Sequence, residues 1–225
     1  MLNEAGITSS GADFPPQRPR PRHTKADAQA QSAFKQGLAH QIEWQRQSHQ
    51  ESDVEVWAFD EHRVGLKAIV RKVWAPIGER PLARVNHRYQ WLYVYGFVHP
   101  VSGRTEWLLL PKVNVAWFNL ALAQFARAVG ASATHRIALV LDNAGWHHSQ
   151  QLSVPEGIEL VFLPPYSPEL QPAERLWELV DEPIVNRSFD TLDPLEEVLA
   201  QRCITLTSMT EAVQGRTHFH WWVAA

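Results

Sequence analysis

What this chain lacks narrows its biology before any motif is read. It has a single cysteine, Cys203, so no internal disulfide can staple it, and a reducing cytoplasm is the compartment that fits. No apolar run approaches the roughly 20 residues that span a bilayer. The opening MLNEAGITSSGADF has no basic start followed by an apolar stretch, so it does not read as a secretory signal. We therefore expect a soluble, cytoplasmic protein with no membrane partner. An overall basic excess is also missing: the formal net charge is -3 and the pI is near 6.4, which argues against a freestanding nucleic-acid-binding module. Acids, in turn, are scarce in one interval. Between Arg63 and Arg88, Glu79 is the sole acid against Arg63, Lys67, Arg71, Lys72, Arg80, Arg84 and Arg88.

What is present suffices for a sizeable core. At 225 residues and 45% hydrophobic content, one large domain with a short appendage is the expected organisation. The run PPQRPRPRHTK, from Pro15 to Lys25, alternates proline with arginine and reads as an extended, positively charged linker. Thr24 with Asp27 resembles a capping box, and Ala30, Phe34, Leu38 and Ile42 recur at helical spacing, which predicts an amphipathic helix ending near Gln50. The pattern then turns to strands: Val54 to Phe59, Leu66 to Trp74, Gln90 to Val98 and Thr105 to Leu110, separated by turn formers such as Pro76, Gly78, Pro100, Ser102 and Gly103. Helical spacing returns with Val115, Phe118, Leu122, Phe125 and Val129, and Gly130 is its stop.

A continuous apolar run, Ile137 to Leu141, predicts a central strand covered on both faces, and Ile158 to Leu163 a shorter one. A helix is expected to begin at Pro172, with Leu176, Trp177 and Val180 on its buried side, and another near Thr191 carrying Leu195, Val198 and Leu199. The order β-β-β-β-α-β-β-α describes an α/β fold with a mixed sheet. Ten tryptophans are many for this length, and Trp57, Trp74 and Trp107 sit in apolar runs that suggest core. We find no internal repeat.

Three acids hold comparable positions. Asp60 is expected to end the first strand, Asp142 ends the buried strand, and Glu174 lies in the first turn after a proline-rich loop. Seen singly, each has an ordinary explanation: a polar turn, an Asx-turn, an acid interacting with a helix dipole. Brought to one sheet edge they would repel unless a cation sat among them, and hard divalent ions with oxygen ligands are the natural occupants. Two such ions would clamp the attacking and leaving oxygens of a phosphodiester.

The words WAFDEHRVGL, LVLDNAGWHHS and LPPYSPELQPAERLW together resemble the catalytic domain of bacterial insertion-sequence transposases of the mariner-related superfamily. The similarity runs from about the Pro/Arg linker to the closing THFHWW. It implies a ribonuclease H-like fold, with antiparallel first strands followed by parallel ones and helices on both sides. It also implies a DDE triad on Asp60, Asp142 and Glu174, each both catalytic and metal-binding. The 31 residues between Asp142 and Glu174 fit that family's short second interval. Gln171 stands where the family commonly has asparagine, keeping the carbonyl on a longer side chain. By the same resemblance Asn143 and His147 are secondary candidates that would orient a ligand, water or phosphate. A zinc site on His147 and His148 lacks a second pair of ligands. Glu169 belongs to the turn, and Tyr166 either stacks on a base or packs beneath its loop.

The implied activity is cleavage of phosphodiester bonds at transposon ends and strand transfer to target DNA, using two Mg²⁺ or Mn²⁺ ions. The implied partners are double-stranded DNA and a second copy of the chain. Arg63, Lys67, Arg71, Lys72, Arg84 and Arg88 suit phosphate contacts on a β-hairpin, with a solvated sheet face as the plain alternative. We divide the chain into a linker (1–24), the amphipathic helix (25–50) and the catalytic domain (51–225). Family members carry helix-turn-helix domains upstream. About fourteen residues precede Pro15, too few for one, so DNA recognition is expected from another part of a split element, or the copy is truncated. The alternatives are an inactive or repurposed DNA-binding remnant and another ribonuclease H-like nuclease.

Overall fold

Strand β1 (Asp53–Gly65) organises everything that follows, because its alternating side chains supply two different cores. In the computed structural model, which describes residues 24–48, 53–86 and 88–223, β1 is joined by β2 (Trp91–His99) and β3 (Arg104–Leu110). Helix α2 (Val115–Val129) leads to β4 (His135–Leu141) and β5 (Ile158–Phe162), and helices α3 (Leu176–Asp181), α4 (Leu192–Ser208) and α5 (Thr210–Thr217) complete the chain behind α1 (Ala28–Ser48). The sheet order is β3-β2-β1-β4-β5. Pairings β1–β2 and β2–β3 are antiparallel, whereas β1–β4 and β4–β5 are parallel. This is the ribonuclease H-like mixed sheet expected from the sequence.

On one face, Trp57 and Phe59 of β1 meet Tyr95, Phe97, Leu139 and Leu141, covered by Phe118, Leu122 and Phe125 of α2. Phe125 stacks on Phe97 with centroids 4.2 Å apart and meets Trp57 edge-on at 5.1 Å. On the other face, Val54, Val56 and Ala58 join Ala138 and Val140 under Leu38 and Ile42 of α1, Leu176 of α3 and Val213 of α5. A third cluster packs Val64, Leu66, Leu92 and Val94 against Val180, Leu195, Leu199 and Leu206. Helix α2 ends as expected: Gly130 adopts the left-handed conformation at φ 72° and its N–H returns to the carbonyls of Ala126 and Arg127.

Four expectations need correction. Residues Leu66 to Trp74 form no strand, since β1 and β2 already have neighbours on both sides and leave no edge for it. Strand-like composition without a ladder remains an exposed excursion between β1 and β2. Trp74 is accordingly not core but fully exposed, with Ile77 and Leu82 beside it. Helix α1 is capped by Asp27 rather than Thr24: Asp27 Oδ1 accepts from the N–H of Gln29 at 2.8 Å and of Ala30 at 3.1 Å. Lastly, Pro172 opens a 3₁₀ turn (Pro172–Arg175), and α3 proper begins at Leu176. Residues 15–23 of the Pro/Arg segment and the expected helix end near Gln50 lie outside the described residues. Helix α5 was not anticipated.

Because Phe125 fills the space between two aromatic partners, Phe125→Ala should cost about 3–5 kcal/mol of stability. Urea unfolding measures it, and a loss below about 1 kcal/mol would contradict this packing.

Candidate active site

The two orders of neighbour around β1 determine where Asp60 stands. Asp60 does not end its strand, as the sequence suggested; β1 runs on to Gly65, paired with β2. The parallel pairing with β4 stops at Ala58 opposite Val140, so Asp60 lies just past the point where β4 has turned away. Asp142 follows β4 immediately, and Glu174 sits in the 3₁₀ turn after the proline-rich loop. These three acids line one cleft of about 420 Å³, together with Asn143, Pro164, Pro165, Tyr166 and Gln171.

Each carboxylate sits in a different environment. Asp60 Oδ2 accepts from the indole N–H of Trp177 at 2.9 Å. Desolvation raises its pKa to about 8; the charges of Glu61 and Glu174 add to this, and the Trp177 hydrogen bond opposes it. Asp142 Oδ1 accepts from the backbone N–H of Ala144 at 3.0 Å and lies 3.0 Å from His147 Nδ1. Desolvation works against its charge, but these partners outweigh it and lower its pKa. Glu174 is raised, chiefly by desolvation and further by the charges of Asp142 and Glu169, with Arg175 opposing.

His147 explains why Asp142 stays ionised. Its ring is almost fully buried against Phe59 and Phe118, and burial opposes its charge. Hydrogen bonds to Asp142 and to Glu61 Oε1, 3.2 Å from Nε2, prevail and raise it to about 9. Glu61 also accepts from the Trp146 indole at 3.1 Å. Sequence reasoning missed Glu61, although an acid continuing the face of Trp57 and Phe59 was a usable signal. It points to the α2 face, opposite to Asp60, because side chains alternate along a strand.

Gln171 was named only for its place in a motif, and its work is specific. Its buried amide donates to the carbonyl of Phe59 at 2.8 Å, while its oxygen accepts from the Ala173 N–H at 3.3 Å. The turn bearing Glu174 is thereby tied to the residue before Asp60. Asn143 stitches the other side, donating to the Leu163 carbonyl and accepting from His148 at 2.9 Å. His148 stacks on Phe162, away from His147, so the two histidines form no common site. Glu169 accepts from Gln31 of α1 at 2.7 Å and serves the loop. Tyr166 is half exposed and adopts left-handed backbone at φ 57°, which costs about 1–2 kcal/mol for a side chain of this kind.

Arg63 lies on β1 where it pairs antiparallel with β2, and the other five basic candidates lie on the long excursion that joins these two strands. Arg63 lies over the Trp91 ring at 5.2 Å, Arg88 donates to the Asp190 carbonyl, and Arg71 pairs with buried Asp181 at 3.0 Å. Lys67, Lys72 and Arg84 are exposed.

The oxygen-only donor set of Asp60, Asp142 and Glu174 fits a hard cation, and repulsion among the three carboxylates favours one. Among the described residues, no three His, Cys, Asp or Glu side chains converge closely enough to enclose an ion as they stand. An open arrangement is compatible with Mg²⁺, which keeps several waters and takes one or two carboxylates plus substrate phosphates.

Comparison with known proteins turns this geometry into a family assignment. Residues 55–196, a span that includes all three acids, match the family described as DDE superfamily endonuclease. The chain belongs to that family. A relative in Sinorhizobium fredii, the uncharacterized protein y4pE/y4sA, is 41% identical over 106 residues, covering 47% of this chain and 77% of that protein. Among solved structures, the Mos1 mariner paired end complex with Mn is similar at a TM-score of 0.61 and 16% identity, over 92% of this chain and 65% of that one. The Mos1 paired end complex with Mg gives 0.58 at 17% identity, over 93% and 66%. These likenesses show the fold, and this chain spans just under two thirds of the Mos1 chain. No helix among its described residues is long and apolar enough to cross a membrane.

The raised pKa of Asp60 has a testable sign. Its folded value lies above the unfolded one, so ionising it opposes folding, and that penalty grows as pH rises from about 4 through about 8. In EDTA, Asp60→Asn should therefore raise the melting temperature at pH 8.5 and leave it nearly unchanged at pH 4. Equal effects at both pH values would contradict the desolvated environment.

Proposed function

We propose that this chain is the catalytic domain of a DNA transposase, which cuts phosphodiester bonds at the ends of its mobile element and joins the freed 3′-hydroxyls to target DNA. The observation that carries this reading is the convergence of Asp60, Asp142 and Glu174 on one cleft, delivered by β1, the end of β4 and the turn after the proline-rich loop. The three carboxylates hold two divalent cations, Mg²⁺ or Mn²⁺. Bound there, the metal supplies Lewis-acid stabilisation and lowers the pKa of a water or 3′-hydroxyl. The Mos1 complexes with Mn and with Mg support that choice of ion.

The chain's own groups prepare the site. His147, protonated between Glu61 and Asp142, keeps Asp142 anionic and turned toward the cleft. Gln171 keeps Glu174 in register with β1. The prolines at 164, 165 and 168 stiffen the loop, so little entropy is lost when Glu174 engages. Tyr166, half exposed and lining the cleft, carries the Lys25 ammonium 5.4 Å from its ring centroid, a cation–aromatic pair beside which a base can stack.

Double-stranded DNA is held outside the cleft by phosphate contacts from Arg63, Lys67, Lys72, Arg84 and Arg88, while Arg71 stays committed to Asp181. Trp74, Ile77 and Leu82, fully exposed on the same excursion, support a second copy of the chain as the surface that covers them. Mos1 is described in paired-end complexes, which agrees with a dimer acting on two ends.

Two measurements test this reading. Purified chain with Mn²⁺ or Mg²⁺ should nick plasmid DNA carrying the inverted repeats that bracket its gene, and Asp142→Ala should lower the rate by at least 10³-fold. Undiminished cleavage by Asp142→Ala, or none by the wild type with either ion, would overturn it. For the DNA surface, Lys72→Glu with Arg84→Glu should lower the slope of log affinity against log salt by about 0.9 per lost phosphate contact. An unchanged slope would place the phosphates elsewhere.

A further inference from the structure

Trp177 touches two features that the sequence does not connect. Its indole N–H donates to Asp60 Oδ2 at 2.9 Å, and its ring stacks on the imidazole of His62, with centroids 4.9 Å apart and planes 14° from parallel. Asp60 and His62 are two residues apart on β1 and so share a face, which lets one ring meet both. The far side of His62 is also held: Nε2 lies 2.8 Å from Asp181 Oδ1, and Asp181 Oδ2 accepts from Arg71 Nη2 at 3.0 Å. Asp181 is buried, and its two oxygens are thus both engaged.

The strand opposite is cut to fit this ring. Gly96 pairs directly with Asp60 in β2, and a Cβ there would lie 2.9 Å from Trp177 Cη2 and 3.1 Å from Trp107 Cζ3. A side chain at that position would displace the indole that Asp60 needs. Arg71, at the root of the exposed excursion, is latched to the turn after α3 as well. Its N–H donates to Asn186 Oδ1 at 2.9 Å, the Asn186 side chain returns a hydrogen bond to the Arg71 carbonyl at 3.1 Å, and the Asn186 N–H donates to the Ile69 carbonyl at 2.8 Å.

We propose that Trp177 is a positioning residue for Asp60: it fixes one carboxylate oxygen so that the other faces the cleft, and the Arg71–Asp181–His62 chain fixes Trp177. This rests on the reading of Asp60 as a cation-holding carboxylate. An indole buried only for packing needs any acceptor for its N–H. Here the acceptor is the cleft carboxylate itself, on the oxygen that must be held if its partner is to be presented. Outer partners of this kind set the orientation of metal ligands, and their loss commonly lowers metal affinity or activity 10–100-fold.

The test uses the purified chain and Mn²⁺ alone, followed by cleavage. Trp177→Phe keeps a ring against His62 and Gly96 but removes the N–H. It should weaken Mn²⁺ binding in titration calorimetry about tenfold or more, raise the Mn²⁺ concentration for half-maximal cleavage in parallel, and leave KM for DNA unchanged. His62→Ala should weaken Mn²⁺ binding in the same direction by a smaller factor, and wild-type affinity in that variant would overturn the role of the chain behind Trp177. A readout without metal keeps the proposal open to refutation should a variant fold poorly. In the Asp60→Ala protein, the Trp177 indole N–H resonance should move away from its hydrogen-bonded position, and an unmoved resonance would overturn the contact. If Asp60→Ala abolishes Mn²⁺ binding and cleavage while Trp177→Phe matches the wild type in both, positioning by Trp177 is wrong and the site reading stands. If Asp60→Ala changes neither, the site reading falls and the inference with it.

Discussion

Repulsion among carboxylates is the interaction around which this domain is arranged. Asp60, Asp142 and Glu174 share one cleft, and two of the three are pushed toward protonation by desolvation and by neighbouring negative charge. A fold that gathers such groups sacrifices stability at neutral pH unless something compensates. The compensation is local and specific: an indole N–H at Asp60, and a backbone N–H with a protonated histidine at Asp142. For Glu174 the chain invests instead in the turn, which Gln171 ties to β1. Hydrogen bonds thus hold the directions of Asp60 and Asp142 without removing the negative charge that gathers in the cleft.

Strand β1 makes the arrangement possible through its alternation. Residues 54, 56, 58, 60 and 62 face one side and residues 57, 59 and 61 the other. Asp60 and His62 therefore share Trp177, whereas Glu61 reaches through the opposite layer to His147 and supports Asp142 from behind. Adjacent acids in sequence act on different members of the triad from different sides of the sheet. A one-residue slip of β1 would exchange these roles and bury the wrong carboxylate in each layer.

Much of this was legible in the sequence, for physical reasons that vary by element. The buried strand β4 announced itself as an unbroken apolar run, and the acid ending it marked Asp142. Helix α2 was readable from its stripe and its glycine stop. Strand β1 was recognised, but its length was not, because the antiparallel partner continues after the parallel one has ended. Leu66 to Trp74 misled, since β-branched and aromatic composition reports fitness for a ladder and not the presence of a neighbour. The triad was marked by three long motifs, and the same motifs carried His147 and Gln171, but not the contacts through which they act. Trp177 looked like one more buried helix residue, and Asp181 carried no signal of its own. Their partners, His62 and Arg71, lie more than a hundred residues away in the chain, where no periodic pattern reaches.

The central claim is that these three acids are a cation site shaped for phosphodiester chemistry. Crystals of the chain soaked in Mn²⁺ and measured at the manganese absorption edge would test it most directly. The account predicts anomalous density within about 2.5 Å of carboxylate oxygens of Asp60, Asp142 and Glu174. Density confined to other acids, with this cleft empty at millimolar Mn²⁺, would contradict it.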